Sequence, residues 1–522
     1  MLRKILIANR GEIAVRIARA CRELGVRSAA IYSEADRDAL HARTADEAHL
    51  VGGAPPRDSY LRAERIVAIA REIGADAIHP GYGFLSESGA FAELCEANGL
   101  VWIGPPGEVI RRMGDKVVAR RTMAAAGVPV VPGATQRLAD GELLAAARRT
   151  GFPLLVKAAG GGGGRGMRVV REEAELASAA QRARSEAGAG FGDDGVYVEQ
   201  LIEGARHVEV QLLADAQGHA VHLFERDCSA QRRHQKLLEE APAPGVSPEL
   251  RARLGSAALA AARAVGYRSA GTVEFLLAPG EHFYFLEMNT RIQVEHPITE
   301  AVTGVDLVQA MIRIAAGEKL ALRQEDLKVR GHAIEARLYA EDPAKGFLPS
   351  PGRLSVFRPP TGPGLRVDAG VAEGSAVTVH YDALLAKLVA FGATRAEALA
   401  RLDGGLAGFR VAGVRSSIPF QRWLLREPVF RAGAIDVGFV ERCWPKGGAP
   451  PLDPSARPAA AAAARFALGI APRLAVRELA PGLLEVGDGD KTREVAVTPR
   501  AKGVDVLIDG DLFAFSREEL AA

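Results

Sequence analysis

Charged and amide side chains recur at every second position in one segment of the chain, Phe285–Pro297. They occupy the odd positions Glu287, Asn289, Arg291, Gln293 and Glu295. In an extended chain, alternate residues point to one side, so these groups would share one edge over about 26 Å at roughly 3.3 Å per residue. The opposite side is mostly apolar, with Leu286, Met288, Ile292 and Val294. A solvated face is seldom so regular, and we therefore interpret the segment as a chemical site.

A divalent cation fits part of this pattern. Glu274 lies in an otherwise apolar segment, Thr272–Leu276, that is typical of a buried strand. Together with Glu287 and Asn289 it offers the hard oxygen ligands that Mg²⁺ prefers beside phosphates. Such a cation is needed where a phosphoryl group is transferred, because it neutralises the developing negative charge.

A glycine-rich segment follows an apolar strand-like stretch, Phe152–Lys157. Six of the seven residues from Gly160 to Gly166 are glycine. Backbone amides in such a loop are free to approach an anion and to surround it. No Gly-Lys-Ser/Thr follows, so the segment is not a P-loop. A flexible linker is the alternative, but the strand-like Met167–Val170 on the other side favours a hairpin lid over phosphates.

A third cluster, Glu225–Lys236, combines basic, amide and acidic side chains and is followed by Glu239-Glu240. Taken alone it could be an ordinary solvated loop. Beside a phosphate loop and a cation site, a role in binding an anionic substrate is the better interpretation.

The elements that must position these groups follow from hydrophobic patterning. Residues 4–8 resemble a buried strand, 13–24 a helix with Ile13, Ile17 and Cys21 on one face, and 28–32 a second strand. Gly25 marks the helix end. The pattern recurs at 65–79 and 91–103, which predicts an α/β fold with a doubly wound parallel sheet. Asn9-Arg10-Gly11-Glu12 is not a GxGxxG fingerprint, so dinucleotide binding is not supported.

The rest of the chain changes character twice. Residues 115–330 alternate strands and helices, and 331–446 mix apolar strands with helices near 394–409 and 416–424. The stretch 445–465 holds five prolines and the run Ala459–Ala464, which favours a linker. Beyond it, four β-like segments between Gly/Asp turns predict a small all-β appendage: Arg473–Leu479, Val495–Thr498, Val504–Ile508 and Leu512–Ser516.

Bulk properties bound the function. A chain of 522 residues exceeds one hydrophobic core and predicts two to four domains. A net charge of +2 argues against a nucleic-acid partner. The four cysteines are scattered without metal-ligand spacing, which suits a reducing compartment. With neither a signal-peptide layout nor an apolar run long enough for a membrane, we expect a cytoplasmic protein.

These motifs together resemble a known family. The residues that carry the likeness are Asn9–Ala14, His79–Glu87, Lys157–Met167, Glu225–Lys236 and Glu287–Pro297. They resemble the biotin carboxylase component of biotin-dependent carboxylases, over about residues 2–443. The resemblance implies a Rossmann-like pre-ATP-grasp domain (1–113), an ATP-grasp domain (114–330) with a mobile glycine-rich lid (about 131–203) and a C-terminal α/β domain (331–444). A linker (445–472) and a small β-rich extension (473–522) would follow.

The same resemblance implies a role for individual residues. It assigns ATP contacts to Lys116, Lys157, Gly161, Gly162, Gly163, Gly164, Glu199, Leu201, His207, Gln231 and His234. It assigns Mg²⁺ (or Mn²⁺) to Glu274, Glu287 and Asn289, bicarbonate to Lys236, Arg291, Gln293 and the Val294 backbone, and biotin to Tyr82 and Arg337. Glu295 would be the general base, with Arg291, Arg337 and Lys236 completing the catalytic set.

The implied chemistry explains these residue types. Bicarbonate is a poor nucleophile, so Glu295 would remove its proton while Arg291 holds it in line with the γ-phosphate of ATP. The product would be carboxyphosphate, which breaks down to CO₂ and phosphate. Arg337 would then stabilise the biotin enolate. Enclosure by the lid would protect these species from water.

The implied partners are separate chains. Members with an attached biotin carry the acceptor lysine between two methionines, but the last of the six methionines here is Met311. We therefore expect a separate biotin carboxyl carrier protein, a carboxyltransferase subunit that completes an acetyl-CoA or other acyl-CoA carboxylase, and a homodimer. Residues 473–516 faintly resemble part of the β-rich segment that precedes the biotinyl domain in acyl-CoA carboxylase α subunits, which suggests a docking role.

Two alternatives stay open at this point. Another ATP-grasp ligase, such as a carbamoyl-phosphate synthetase half or a purine-pathway carboxylase, would share the lid and the cation site. A catalytically inactive scaffold subunit is the other, although every expected catalytic residue is present. The final acceptor of the carboxyl group is not encoded in this pattern.

Overall fold

The computed structural model describes residues 2–159, 166–191 and 194–521. The predicted phosphate contacts Gly161–Gly164 lie outside the described residues. Within the described residues, no helix is long and apolar enough to span a membrane.

A parallel sheet forms the core of the N-terminal part of the chain. Its elements are β1 (Lys4–Ile7), α1 (Gly11–Glu23), β2 (Arg27–Ser33), α2 (Leu40–Thr44), β3 (Glu47–Gly52), α3 (Ala63–Glu72), β4 (Ala77–His79), α4 (Gly89–Ala97), β5 (Val101–Trp102) and α5 (Gly107–Gly114). The strand order is β3-β2-β1-β4-β5, and the pairs are parallel. Ile5 and Ile7 pack into one apolar cluster, and Leu6 and Ala8 into another. Strand β1 is therefore buried on both faces, as a doubly wound sheet requires.

The middle part of the chain contains a small sheet and most of a large one. Its elements are α6 (Lys116–Ala125), α7 (Asp140–Thr150), β6 (Leu154–Ala158), β7 (Met167–Val170), α8 (Leu176–Phe191), β8 (Val196–Gln200), β9 (Arg206–Ala214), β10 (Ala220–Arg232), β11 (Gln235–Ala241), α9 (Pro248–Val265), β12 (Ser269–Ala278), β13 (His282–Asn289), α10 (His296–Thr303) and α11 (Leu307–Ala315). Strands β6 and β7 pair antiparallel, with Lys157 opposite Met167, which is the predicted hairpin around the glycine-rich segment.

The large sheet is continuous across the predicted domain boundary near residue 330. The C-terminal part adds β14 (His332–Tyr339), β15 (Glu341–Asp342), β16 (Leu348–Pro349), β17 (Gly352–Arg353), β18 (Val356–Arg358), β19 (Leu365–Ala369), β20 (Ala376–Val377), β21 (Leu384–Gly392), α12 (Arg395–Gly408), β22 (Arg410–Ala412), α13 (Ile418–Arg426), α14 (Pro428–Arg431) and α15 (Phe439–Cys443). The eight-stranded order is β13-β12-β9-β10-β11-β14-β21-β19, and β11 pairs with β14. Because one sheet joins the two parts, they position each other's side chains directly.

The last part of the chain differs from the sequence interpretation. Its elements are α16 (Arg457–Ala467), β23 (Val476–Ala480), β24 (Leu483–Asp488), β25 (Lys491–Arg500), β26 (Gly503–Ile508), β27 (Asp511–Ser516) and α17 (Arg517–Ala521). The strands form one antiparallel sheet, of which β24 is absent from the sequence prediction. The stretch expected to be a linker, 445–472, contains helix α16. Its alanines are buried against the sheet, since their small side chains let the helix lie close to the strands.

The extension is fastened to the C-terminal part by polar and apolar contacts. Arg415 pairs with Asp505 at 2.8 Å, and the hydroxyl of Thr498 accepts a hydrogen bond from the backbone nitrogen of Gly413 at 2.8 Å. Leu483, Ala496 and Leu507 belong to the apolar core of the C-terminal part. The extension and the C-terminal part therefore pack as one unit.

The burial of helix α16 gives a stability prediction. Ala463 is fully buried, so Ala463→Leu should overpack the helix–sheet contact and lower the free energy of unfolding of the extension by about 1–3 kcal/mol. Ala461→Leu is the matched control, because Ala461 is only partly buried. Hydrogen exchange of the amides in β24–β26 measures the effect. Equal loss of protection in both variants would contradict the packing described here.

Candidate active site

One cleft of about 950 Å³ lies where the three main parts of the chain meet. The predicted site residues that line it are Tyr82, Lys116, Lys157, Leu201, His207, Gln231, His234, Lys236, Glu274, Glu287, Asn289, Arg291, Gln293, Val294, Glu295 and Arg337. Glu199 does not line it. The Glu199 carboxylate is buried and pairs with Lys157 at 2.7 Å and with Arg120. Residues more than 200 positions apart thus meet in one space.

The alternating segment is only partly extended. Strand β13 carries Glu287 and Asn289 and ends there, and a turn precedes helix α10, which begins at His296. The expectation of one extended edge is therefore wrong beyond Asn289. The turn brings Arg291, Gln293 and Glu295 to the same cleft by folding the chain back. The polar groups are therefore closer together than they would be along one straight strand, which is what alternation alone suggests.

Lys236 lies at the centre of the cleft floor. Its ammonium group contacts three carboxylates, with Nζ 2.5 Å from Glu209, 2.8 Å from Glu274 and 2.7 Å from Glu295. Burial lowers the pKa of Lys236, but the carboxylates outweigh burial and the net shift is upward. Lys236 is therefore a permanent cation. It comes from strand β11, directly after the hairpin turn, so residues 225–236 belong to two paired strands and not to the solvated loop that was the alternative interpretation.

Glu295 lies between two cations. Its Oε1 contacts Lys236, and its Oε2 accepts a hydrogen bond from Nη2 of Arg337 at 2.9 Å. Burial raises the pKa of Glu295, yet Lys236 and Arg337 overcome this and hold the pKa below its ordinary value. The carboxylate is thus ionised at neutral pH and able to accept a proton.

A buried guanidinium supports the floor from beneath. Arg226 is fully buried and donates hydrogen bonds to Glu209 at 2.6 Å and to the Gln293 side-chain oxygen at 2.5 Å. The remaining donors reach Gln211, Thr299 and Thr272. Because the planar guanidinium fixes several acceptors at once, it sets the orientation of Gln293 and Glu209.

The predicted cation ligands form a carboxylate pair. Glu274 and Glu287 are directly opposite each other on strands β12 and β13, and Thr272 is opposite Asn289. Like charges in that position repel each other. Burial, followed by the charge of Glu274, raises the pKa of Glu287. A divalent cation would relieve this repulsion, so the residues present fit Mg²⁺.

A second potential ligand group lies beside this pair. His207, Glu209 and Glu274 bring ligand atoms within 4.8 Å of one another. Burial lowers the pKa of His207, but the neighbouring carboxylates outweigh it and raise the pKa to about 9. A protonated imidazole cannot bind a metal, and Glu209 is already neutralised by Arg226 and Lys236. Glu274 is also held by Lys236 and His207, so the case for the Glu274–Glu287 pair as the cation site depends on Glu287, whose pKa is raised by burial and by Glu274.

The other end of the cleft combines lysines with apolar walls. Lys116 and Lys157 line it, and burial lowers the pKa of Lys116. Apolar residues continue the wall: Leu155, Val169, Leu201, Leu276, Leu286 and Val437. Such a slot suits a planar heterocycle with an anionic tail that points toward the lysines.

Tyr82 lines the cleft from the N-terminal part of the chain. Its hydroxyl donates a hydrogen bond to Glu12, and Glu12 contacts the buried ammonium of Lys387 at 3.0 Å. Arg291 pairs with Glu87 at 3.1 Å, which ties the 79–87 segment to the floor. The N-terminal part therefore closes one side of the cleft through Glu12 and Glu87.

Several residues of the site have no assignment from the sequence. They are Glu12, Glu209, Arg226, Glu239 and Lys387. Glu239 accepts from Arg337 at 2.6 Å. A usable signal exists for Glu209, because His207, Glu209 and Gln211 alternate with Val208, Val210 and Leu212 in the same way as the segment after Phe285. Lys387 has no such signal, since it is a single charge in an apolar strand.

Comparison with known families decides the identity of this arrangement. Three family models match successive parts of the chain: "Biotin carboxylase, N-terminal domain" (residues 1–110), "Carbamoyl-phosphate synthase L chain, ATP binding domain" (115–323) and "Biotin carboxylase C-terminal domain" (335–442). The chain belongs to the biotin carboxylase family. The first and last models favour this family over the other ATP-grasp ligases.

Relatives of known function support the same assignment. The biotin carboxylase of Pseudomonas aeruginosa is 52% identical over 444 residues, which are 85% of this chain and 98% of that protein. Biotin carboxylase 1 of Bacillus subtilis is 51% identical over 444 residues, which are 84% of this chain and 98% of that protein. The predicted family, fold and enzyme class of this chain are confirmed by these matches.

A solved structure shows what a similar fold binds. The biotin carboxylase domain dimer of Hydrogenobacter thermophilus 2-oxoglutarate carboxylase, in complex with MgADP, ADP and bicarbonate, aligns with a TM-score of 0.83 at 47% identity. The alignment covers 85% of this chain and 98% of that one. The extension after residue 442 lies beyond the three family models.

The ion pair between Lys236 and Glu295 gives a pH prediction. Lys236 lowers the pKa of Glu295, so Lys236→Met should raise that pKa, and the base should become protonated at higher pH. The acidic limb of kcat/KM for bicarbonate should therefore move to higher pH, with a loss of activity of roughly 10²–10³-fold at the optimum. Steady-state rates measured from pH 5 to 9 test this. An unshifted acidic limb in a folded variant would contradict the role given to this ion pair.

Proposed function

We propose that this chain uses MgATP and bicarbonate to carboxylate biotin carried on a separate protein, as the first half-reaction of an acyl-CoA carboxylase. The observation that carries the proposal is the buried carboxylate of Glu295, kept ionised between Lys236 and Arg337 at the junction of all three parts of the chain. Such a group can take the proton of bicarbonate when the substrate lies in the same cleft within hydrogen-bond reach.

ATP would lie along the apolar slot. Lys116 and Lys157 would contact its phosphate oxygens as point charges, and Leu201, His207, Gln231 and His234 would border the nucleotide. Glu199 would act through Lys157, whose ammonium it holds at 2.7 Å, rather than by touching the nucleotide. Gly161–Gly164, predicted to cover the phosphates, lie outside the described residues.

Glu274, Glu287 and Asn289 would hold Mg²⁺ or Mn²⁺. The bound cation would neutralise the negative charge that develops on the transferred phosphoryl group. The protein's own contribution is to hold both carboxylates directly opposite each other, with the Asn289 amide donating to Glu274 at 2.8 Å. This preorganises the ligands before the cation binds.

Bicarbonate would lie between the floor and the phosphates. Arg291, Lys236, the Gln293 side chain and the backbone of Val294 surround that position, and Glu295 would accept the proton. Arg291 is held by Glu87 and by the Asn289 side-chain oxygen, so its guanidinium is oriented before substrate binds. Attack on the γ-phosphate would yield carboxyphosphate, which would break down to CO₂ and phosphate inside the cleft.

Biotin would occupy the end near Tyr82. Arg337 has its guanidinium between Glu239 and Glu295 and would stabilise the negative oxygen of the deprotonated ureido ring. Arg337 would therefore act twice in the reaction. It would hold the base Glu295 while bicarbonate is activated, and it would stabilise the biotin enolate when biotin is carboxylated.

The partners follow from this chemistry. A separate biotin carboxyl carrier protein would deliver biotin, and a carboxyltransferase subunit would pass the carboxyl group on. We also propose a homodimer in the cytoplasm and domain boundaries near residues 113, 330 and 444. The chain packs the extension against the last of these domains.

ATP hydrolysis tests the function directly. We expect hydrolysis by the purified chain to require bicarbonate and to rise with free biotin at high concentration. Hydrolysis that needs bicarbonate but ignores biotin would favour another ATP-grasp ligase. No hydrolysis at all would favour an inactive scaffold subunit.

The general base is tested by substitution. Glu295→Gln and Arg291→Ala should each abolish turnover while leaving the circular dichroism spectrum and thermal midpoint near those of the wild type, because the first removes the proton acceptor and the second the bicarbonate clamp. Glu64→Gln is the matched control, since Glu64 is exposed on helix α3. Near-normal activity in folded Glu295→Gln would overturn the base assignment.

A further inference from the structure

Lys387 is a fully buried lysine outside the set of predicted site residues. It lies on strand β21 with no side-chain exposure. Its ammonium donates to the backbone oxygen of Val294 at 2.8 Å and contacts the Glu12 carboxylate at 3.0 Å. A lysine is buried this deeply only where partners compensate its charge. The carboxylates of Glu335 and Asp368 also interact with Lys387 electrostatically, but Val294 and Glu12 are the two partners that it contacts directly.

The two partners belong to different parts of the chain. Val294 precedes Glu295 in the turn after strand β13, and Glu12 lies in the first turn of helix α1. Glu12 also accepts the hydrogen bond from the Tyr82 hydroxyl. One ammonium therefore joins the turn that carries Glu295 to the carboxylate that holds Tyr82.

The backbone reinforces the same junction. A Cβ atom at Gly370 would lie 2.6 Å from the backbone nitrogen of Glu12, so the loop after strand β19 approaches the Gly11–Glu12 turn closely. Gly11 has φ +69°, a left-handed backbone conformation, at the first position of helix α1, directly before Glu12. Glu12 is therefore fixed from both its backbone and its carboxylate.

We propose that Lys387 is a positioning residue that orients Tyr82 through Glu12 and the turn bearing Glu295 through the Val294 carbonyl. This inference rests on the proposed function, because it assigns a role within that reaction. Its consequence is that the bicarbonate contact and the biotin contact are set by one shared group. The proposed phosphate contacts Lys116 and Lys157 lie on α6 and β6, which Lys387 does not contact directly, so ATP binding would not depend on it.

The two effects of Lys387, through Glu12 and through the Val294 carbonyl, can be tested separately. Lys387→Met removes the donor to Val294 and the charge partner of Glu12, so it should raise KM for both bicarbonate and biotin by about tenfold. Glu12→Gln keeps the contact between Lys387 and Val294 but weakens the hold on Tyr82. It should raise KM for biotin alone. Lys387→Arg keeps the cation and should recover part of the loss.

The experiment measures KM for bicarbonate, for free biotin and for ATP, by ATP hydrolysis, in the wild type and in each variant. In every variant we expect KM for ATP within about twofold of the wild type. Arg251→Met is the matched control. It removes a partly buried ion pair with Glu225, 2.8 Å away within the ATP-grasp part, that touches no predicted substrate contact.

The outcomes separate this inference from the function on which it rests. A wild-type chain without biotin-stimulated hydrolysis would overturn the proposed function and this role with it. An active wild type, with folded Lys387→Met whose KM values for bicarbonate and biotin are unchanged, would overturn the positioning role alone. So would parallel increases in all three KM values, which indicate general loss of structure. If Lys387→Met does not fold, Glu12→Gln decides, because an unchanged KM for biotin there contradicts the relay.

Discussion

The ammonium of Lys236 among three carboxylates is the constraint on which the rest of the site depends. Glu209, Glu274 and Glu295 bring three negative charges together in a buried space, and Lys236 contacts all three, while Arg226, His207 and Arg337 each pair with one of them. These cations hold the pKa values of Glu274 and Glu295 below their ordinary values, so both carboxylates stay ionised. Lys236 thus lets two neighbouring carboxylates serve different proposed roles, Glu274 as a cation ligand and Glu295 as the general base.

The continuous antiparallel sheet keeps these charged side chains in fixed positions relative to one another. Strands from the ATP-grasp part and from the C-terminal part are hydrogen-bonded neighbours, so Lys236 on β11 and Arg337 on β14 are held in register. Arg226, on the next strand, fixes the floor from below. Three charged side chains on adjacent strands then act as a rigid platform, while the covering elements come from the N-terminal part and the small β6–β7–β8 sheet.

The sequence predicts the local helices and strands well, because they depend on residues that are close in the chain. The strand β1, the helix α1 and the β6–β7 hairpin all follow from periodicity and glycine placement. Alternation identifies the polar segment after Phe285 but not its turn after Asn289, since it cannot distinguish a strand from a strand followed by a turn. Lys387 and Glu12 lie 375 positions apart in sequence, and only the fold can pair them. Helix α16 escapes prediction because an alanine-rich stretch with prolines has the composition of a linker, whereas its burial depends on the sheet that follows it.

The packing of the extension also bears on solubility. Val411 and Val414 of the C-terminal part lie in the same apolar core as Leu483, Ala496 and Leu507. A proteolytic cut near residue 444 followed by loss of the fragment would bare this surface, and exposed contiguous apolar patches promote self-association. The extension therefore covers an apolar surface that the C-terminal part would otherwise expose to water.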